Sequence, residues 1–241
     1  MLAYTDTIET KEQAVTNAKL HREQDMLIRG SYGEERHGEE FRGSSVGCTY
    51  TPFAKKGHPG LHKLSESVHG IPEELTRLRD YLFEVLPDNR YRDWHVEFTE
   101  AIPVGADLSL VGYQFKLWLL KDKTYGVFQY ADTQGKKAIN AVAALLRRKI
   151  AGVNVRDRSW HTAESAARTA AASTAARAAS YAARAAEYAA ASTARAAARA
   201  AACTARVAAE STARVVRYAD EYAAQADKLL ELMRNAPIRT K

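Results

Sequence analysis

HTAESAARTAAASTAARAASYAARAAEYAAASTARAAARAAACTARVAAE, residues 161–210, decides the architecture of this chain. Twenty-seven of these fifty residues are alanine, the strongest helix former, so the segment reads as helix. No Gly or Pro interrupts the chain between Gly152 and Pro237. Unbroken, about 75 residues at ~1.5 Å each would make a rod on the order of 110 Å long. A Ser-Thr-Ala triplet recurs at Ser173, Ser192 and Ser211. Ser and Thr favour helix starts, so each triplet is a place where the chain could fold back.

The phase of the larger side chains argues for continuity. Arg177, Tyr181, Arg184, Tyr188, Ser192, Arg195, Arg199, Cys203, Arg206, Glu210, Arg214, Arg217 and Glu221 follow one another at spacings of 3 and 4. The pattern repeats every eleven residues, or about 3.67 per turn, and keeps one side of a nearly straight helix in line. One long helix is therefore expected through 175–218, with a helical hairpin as the rival. The other faces are mostly alanine. They bury little area but let helix backbones approach closely, which predicts close helix packing within the chain or between copies in a homo-oligomer. The stripe itself reads either as a solvated face, with arginine stems lying over alanine, or as a track for an anionic ligand or partner formed by Arg177, Tyr181, Arg184, Tyr188, Arg195 and Arg199.

Upstream, the pattern is that of a compact helical domain. A mainly α fold is predicted, with a globular domain over 1–152 and the alanine-rich helix or hairpin over 153–241. Residues 8–29 read as a helix, with Thr10 and Gln13 as its capping box. Leu75, Leu78, Leu82, Val85 and Leu86 mark one face of a helix that follows Pro72. Trp94 and Phe98 mark a second helix over Tyr91–Ala101, and Asp107 caps a third that carries Val111, Phe115, Trp118 and Leu119. Tyr125, Val127, Phe128 and Tyr130 suggest a hairpin or extended edge within 121–134. A further helix after Gly135 closes on Arg147-Arg148-Lys149 and Gly152. Between Gly30 and Gly70 lie eight of the thirteen glycines, which predicts an irregular loop over 30–70.

Composition narrows the function classes. The 241 residues carry 35 Lys/Arg and 29 Asp/Glu, for a net charge of +6. Residues 161–241 hold 12 basic and 7 acidic side chains, so the excess lies in the C-terminal third. Two cysteines exclude a disulfide scaffold and fit a reducing, cytoplasmic setting. No run of about 18 uncharged apolar residues is present, so a transmembrane helix is not expected. Zinc-finger, basic-zipper and RNA-recognition signatures are absent, which places nucleic acid behind proteins and nucleotides as the expected partner. No cofactor motif is found.

Chemistry, if any, is expected in the glycine-rich stretch. Cys48 with His58, His62 or His69 would make a thiolate–imidazole pair, as in cysteine hydrolases. The alternative is a small buried cysteine among surface histidines. Zinc is disfavoured, because His58-Pro59-Gly60-Leu61-His62 is no clean helical pair and no second cysteine lies nearby. Gly43–Gly47 offers backbone N–H groups for a phosphate but lacks a P-loop lysine. Tyr32, His37 and Arg42 border the glycines and could touch a polar ligand. His95 and Glu97 diverge on their helix and are not expected to form an acid–base pair.

The runs GSSVGCTYTPF (43–53), GIPEELTRLRDYLFEVLP (70–87) and EAIPVGADLSLVGYQFKLWLL (100–120), followed by the alanine-rich tail, resemble an uncharacterised protein family encoded by bacteriophages and other mobile elements. That family's pattern runs Gly-Cys-Ala-Val-Gly-Cys, a downstream His, a Gly-Ile-Pro-Glu helix, an Ile-Pro-x-Gly-Ala-Asp-Leu turn and Ala/Tyr/Arg repeats. Here Ser44 stands at the first cysteine, which leaves Cys48, with His62 or His58, as the residues carried over. The resemblance implies an accessory phage protein in the host cytoplasm. By analogy it would counter a bacterial defence system, as an anti-CRISPR or by sequestering a nucleotide signal, through binding of a host protein or an anionic ligand.

Overall fold

The computed structural model describes residues 2–4, 8–33, 41–54, 60–171 and 212–239, with side chains described up to 166 in the first of the two final helices and from 220 in the last. Among these residues the protein is mainly helical, with isolated bridges in place of β-strands. The elements are α1 (Ile8–Glu23), α2 (Ser45–Tyr50), α3 (Leu61–His69), α4 (Glu73–Val85), α5 (Tyr91–Glu100), α6 (Val111–Lys121), α7 (Thr133–Ile150), α8 (Asp157–Ala171) and α9 (Thr212–Arg234). Single 3₁₀ turns occupy Thr51–Phe53, Leu108–Leu110 and Val127–Tyr130. No helix is long and apolar enough to cross a membrane among the described residues.

Two compact units are present, one comprising residues 1–111 and 226–241 and the other 112–225. Gly152, the boundary read from the sequence, lies within the second unit, in the turn between α7 and α8. The long helix expected over 175–218 falls largely outside the described residues.

In the first unit α5 packs on α1 and α4, and α2 is held among α1, α3 and α4. Leu75, Leu78 and Leu82 of α4 are buried with Trp94 and Phe98 of α5, as the apolar spacing requires. The C-terminal end of the chain belongs to this same unit. Leu229, Leu230 and Met233 of α9 are buried, and Asp227 pairs with Arg90, just before α5, at 2.7 Å. Beyond α9 the chain is stitched to the turn before α6. The Asp107 N–H donates to Pro237 O at 2.8 Å, the Arg239 N–H donates to Gly105 O at 3.0 Å, and the Arg239 guanidinium meets the Asp107 carboxylate at 2.8 Å. Asp107 also caps the 3₁₀ turn, accepting from the Ser109 N–H.

The stretch 30–70 is not one irregular loop. Its glycines permit close backbone crossings around α2 and α3. A Cβ on Gly47 would run into the Tyr32 carbonyl, and one on Gly70, at φ +66°, into the carbonyl of Leu2. Such close approaches account for Gly33, Gly43, Gly47 and Gly70, and a six-residue helix offers no phosphate cradle.

In the second unit the expected hairpin is replaced by the 3₁₀ turn at Val127–Tyr130. Its aromatic and β-branched run is too short to specify a strand by itself. Val127 joins Leu120, Ile139, Val142, Leu146, Val155 and Trp160 in one apolar core between α7 and α8. The Asp132 carboxylate caps α7, accepting from the Gly135 N–H at 2.7 Å. Gly152, at φ +79°, ends the helix as a left-handed residue.

Candidate functional site: a buried polar centre in the first unit

Arg79 of α4 is 2% exposed, and it organises the centre. Its Nε donates to Ser45 Oγ at 2.7 Å, and its Nη2 donates to Thr49 Oγ1 at 3.0 Å and lies 3.1 Å from His95 Nδ1. Ser45 and Thr49 are one turn apart on α2 and so face Arg79 together. His95 comes from α5, and its Nδ1 lies 2.9 Å from Ser45 Oγ. With Arg79 and Ser45 both directing hydrogens at Nδ1, the His95 proton sits on Nε2, which faces His21 Nδ1 of α1 at 3.3 Å. The Arg79 backbone carbonyl accepts from Trp94 Nε1 at 2.9 Å.

Asp80 points elsewhere, since consecutive helical residues diverge by about 100°. Its two oxygens accept from Ser44 Oγ at 2.9 Å and pair with His62 Nε2 at 3.1 Å. Ser44 caps α2, accepting from the Gly47 N–H at 3.2 Å. A third branch joins Tyr50 OH to His69 Nδ1 at 3.2 Å.

Burial and the Arg79 charge keep His69, His21 and His95 neutral. Burial, reinforced by the Arg79 charge, pushes His69 and His21 down to about 4. Burial, Arg79 and His21 push His95 well below the usual histidine range. Burial likewise pushes the Tyr50 phenol up to about 12. Ser45 resembles a nucleophile beside a base, but its oxygen accepts from Arg79, donates to His95 and is fully buried. Burial closes it to any substrate.

Cys48 is buried, and its thiol donates to the carbonyls of Gly43 and Met26 at 3.4 and 3.5 Å. Burial pushes it up to about 11 despite the backbone hydrogen bond at Gly43 and the Arg79 charge nearby. The structure thus brings His62 to Asp80 and His69 to Tyr50, and neither to Cys48. His58 and His37 lie outside the described residues. Of the proposed ligand contacts, Tyr32 is 55% exposed and stands edge-on to the His62 ring, 5.6 Å between centroids. Arg42 is tied to Asp25 through its carboxylate and backbone carbonyl, each at 2.9 Å. Arg177, Tyr181, Arg184, Tyr188, Arg195 and Arg199 lie outside the described residues. No group of three or more metal-ligating side chains converges among the described residues.

The sequence reading missed Arg79, His95, Ser45, Asp80 and His21. A signal for two of them was present. Arg79 lies four residues after Leu75 and three before Leu82, and His95 lies three before Phe98, so both sit within apolar stripes. No protein-family model, curated protein or solved structure matches this chain.

Proposed function

We propose that the chain is an accessory binding protein of bacteriophage or mobile-element origin. It acts in the cytoplasm of the host bacterium against a defence system, by holding a host protein or a nucleotide-type anionic ligand. Homo-oligomers assemble through the alanine faces of its C-terminal third. The observation that carries binding rather than turnover is the closed state of Cys48. Its thiol is protonated, points at two carbonyl oxygens and has no histidine beside it among the described residues. A cysteine nucleophile needs thiolate character and access, and this site offers neither. The surrounding polar centre supports the same reading, because Arg79 is buried and directs three hydrogen bonds within the chain, and Asp80 accepts from Ser44 and pairs with His62. Ligand contacts then fall on the Arg/Tyr stripe.

Plating of a phage on a host that carries the defence tests this reading. Cys48→Ala should protect the phage as well as wild type, and joint reversal of Arg177, Arg184, Arg195 and Arg199 to Glu should abolish protection. Loss of protection in Cys48→Ala, with the charge-reversed protein still active, would overturn it.

A further inference from the structure

The charge of the sequence is segregated. Residues 1–111 carry 13 Lys/Arg against 19 Asp/Glu, and residues 112–171 carry 11 against 4. In the first unit the arginines are spent internally, as in the pairs Arg22–Asp93, Arg29–Asp88, Arg77–Glu73 and Arg90–Asp227. The second unit differs. Helix α7 carries Lys136, Lys137, Arg147, Arg148 and Lys149 and no acid at all. None of the five, nor Lys121 of α6, makes an ion pair among the described residues.

Geometry gathers these charges. At about 100° per residue, positions 136, 137, 140, 144, 147 and 148 share one face of α7. Lys137, Asn140, Ala144, Arg147 and Arg148 are exposed there, and Lys136 is half-buried. Lys121 reaches over to the same face. Its Nζ donates to Asn140 Oδ1 at 3.0 Å and lies 3.2 Å above the centre of the Phe128 ring, which Lys136 also approaches at 5.7 Å. Burial first, and the charge of Arg147 second, lower the proton affinity of Lys121. The cations therefore repel one another, with no acid to relieve them.

An anion that spans the face would relieve that repulsion. The pairs Lys136/Lys137 and Arg147/Arg148 are eleven residues apart, about 16 Å along the helix. B-DNA has a major groove about 12 Å wide, so cations at that separation reach phosphates on both walls. Between them α7 itself carries only the short side chains of Asn140, Ala141 and Ala144, with Lys121 reaching in at Asn140, which allows the helix to come close. Tyr130, 63% exposed, ends the turn that leads into α7 and adds an aromatic surface beside the cations. A flat acidic protein surface would use the charges but not this spacing.

We propose that the exposed face of α7, with Lys121, binds the phosphate backbone of double-stranded nucleic acid without reading its sequence. Its residues are not those of the proposed function, so duplex binding that survives loss of phage protection would set the two apart.

The test is fluorescence anisotropy of the full chain with a labelled 20-base-pair DNA duplex, between 50 and 200 mM salt. Four to five phosphate contacts predict a slope of log K against log salt of about −4, a loss on the order of 10²-fold over that range. Joint reversal of Lys136, Lys137, Arg147 and Arg148 to Glu should weaken binding at least 100-fold with an unchanged circular dichroism spectrum. If that protein fails to fold, Lys136→Gln with Arg147→Gln should flatten the slope by about 2. Absence of binding at 50 mM salt overturns the proposal, as does unchanged affinity in a folded variant. Poly-glutamate bound more tightly than the duplex also overturns it and makes the face a site for acidic protein.

Discussion

Acid should destabilise the first unit through its buried histidines. His69 sits against Tyr50 and Tyr4, near Arg79 and Lys11, and is pushed down to about 4 from the ordinary 6.5. Between those values the unfolded chain binds a proton that the folded chain refuses. The stability His69 contributes is therefore complete above pH 6.5 and declines as the pH falls toward 4. From pH 7 to 5 the loss is about 2 kcal/mol, at 1.36 kcal/mol per pH unit below 6.5. His21 titrates in the same window, but its half-exposed ring is partly screened, so it adds about 1 kcal/mol. His95, depressed by burial, Arg79 and His21, adds in the same direction. The sum of about 3 kcal/mol or more is a large share of the 5–15 kcal/mol typical of a folded domain. Urea unfolding followed by Trp94 fluorescence, with Trp118 and Trp160 changed to Phe, reads it. The midpoint should drop by about 1–3 M urea between pH 7 and 5. His69→Phe should remove roughly 2 kcal/mol of that dependence. A midpoint that does not move over this range would refute the account of a neutral, buried histidine set.

Other outcomes follow from the same geometry. Gly47→Ala drives a Cβ into the Tyr32 carbonyl and should cost about 2–3 kcal/mol by chemical denaturation. Arg79→Met loses three hydrogen bonds from a charged donor but also the desolvation of a buried cation. Its net cost should be about 2 kcal/mol, and histidine NMR should show His21 titrating above 4. Cys48, at about 11, should react with iodoacetamide at pH 7.4 at least a hundred-fold more slowly than a free thiol, measured in a Cys203→Ser background. Arg90→Ala breaks part-exposed pairs to Glu97 and Asp227 and should cost no more than about 1 kcal/mol in thermal unfolding.

The helices were legible where spacing and caps agree. Leu75, Leu78 and Leu82 announce α4, Asp107 announces the turn into α6, and Gly152 announces the end of α7. Helix α2 was not legible, because six residues set among glycines carry no period. The turn at 127–130 was misread because a short aromatic run fits a strand as well as a 3₁₀ turn. The polar centre was hidden for a physical reason. Arg79 and His95 are polar residue types that ordinarily face water, and only partners distant in sequence, Ser45, Thr49 and His21, make their burial tolerable. The basic face of α7 escaped notice because the acidic first unit cancels it in any average over residues 1–160.

Native mass spectrometry of the full chain, purified from bacterial lysate at low salt, tests the central claim of binding without turnover. The account predicts a noncovalent ligand or partner retained equally by wild type and Cys48→Ala, and lost when Arg177, Arg184, Arg195 and Arg199 are reversed to Glu. A clean wild-type chain, or one carrying a covalent adduct on Cys48, would contradict it.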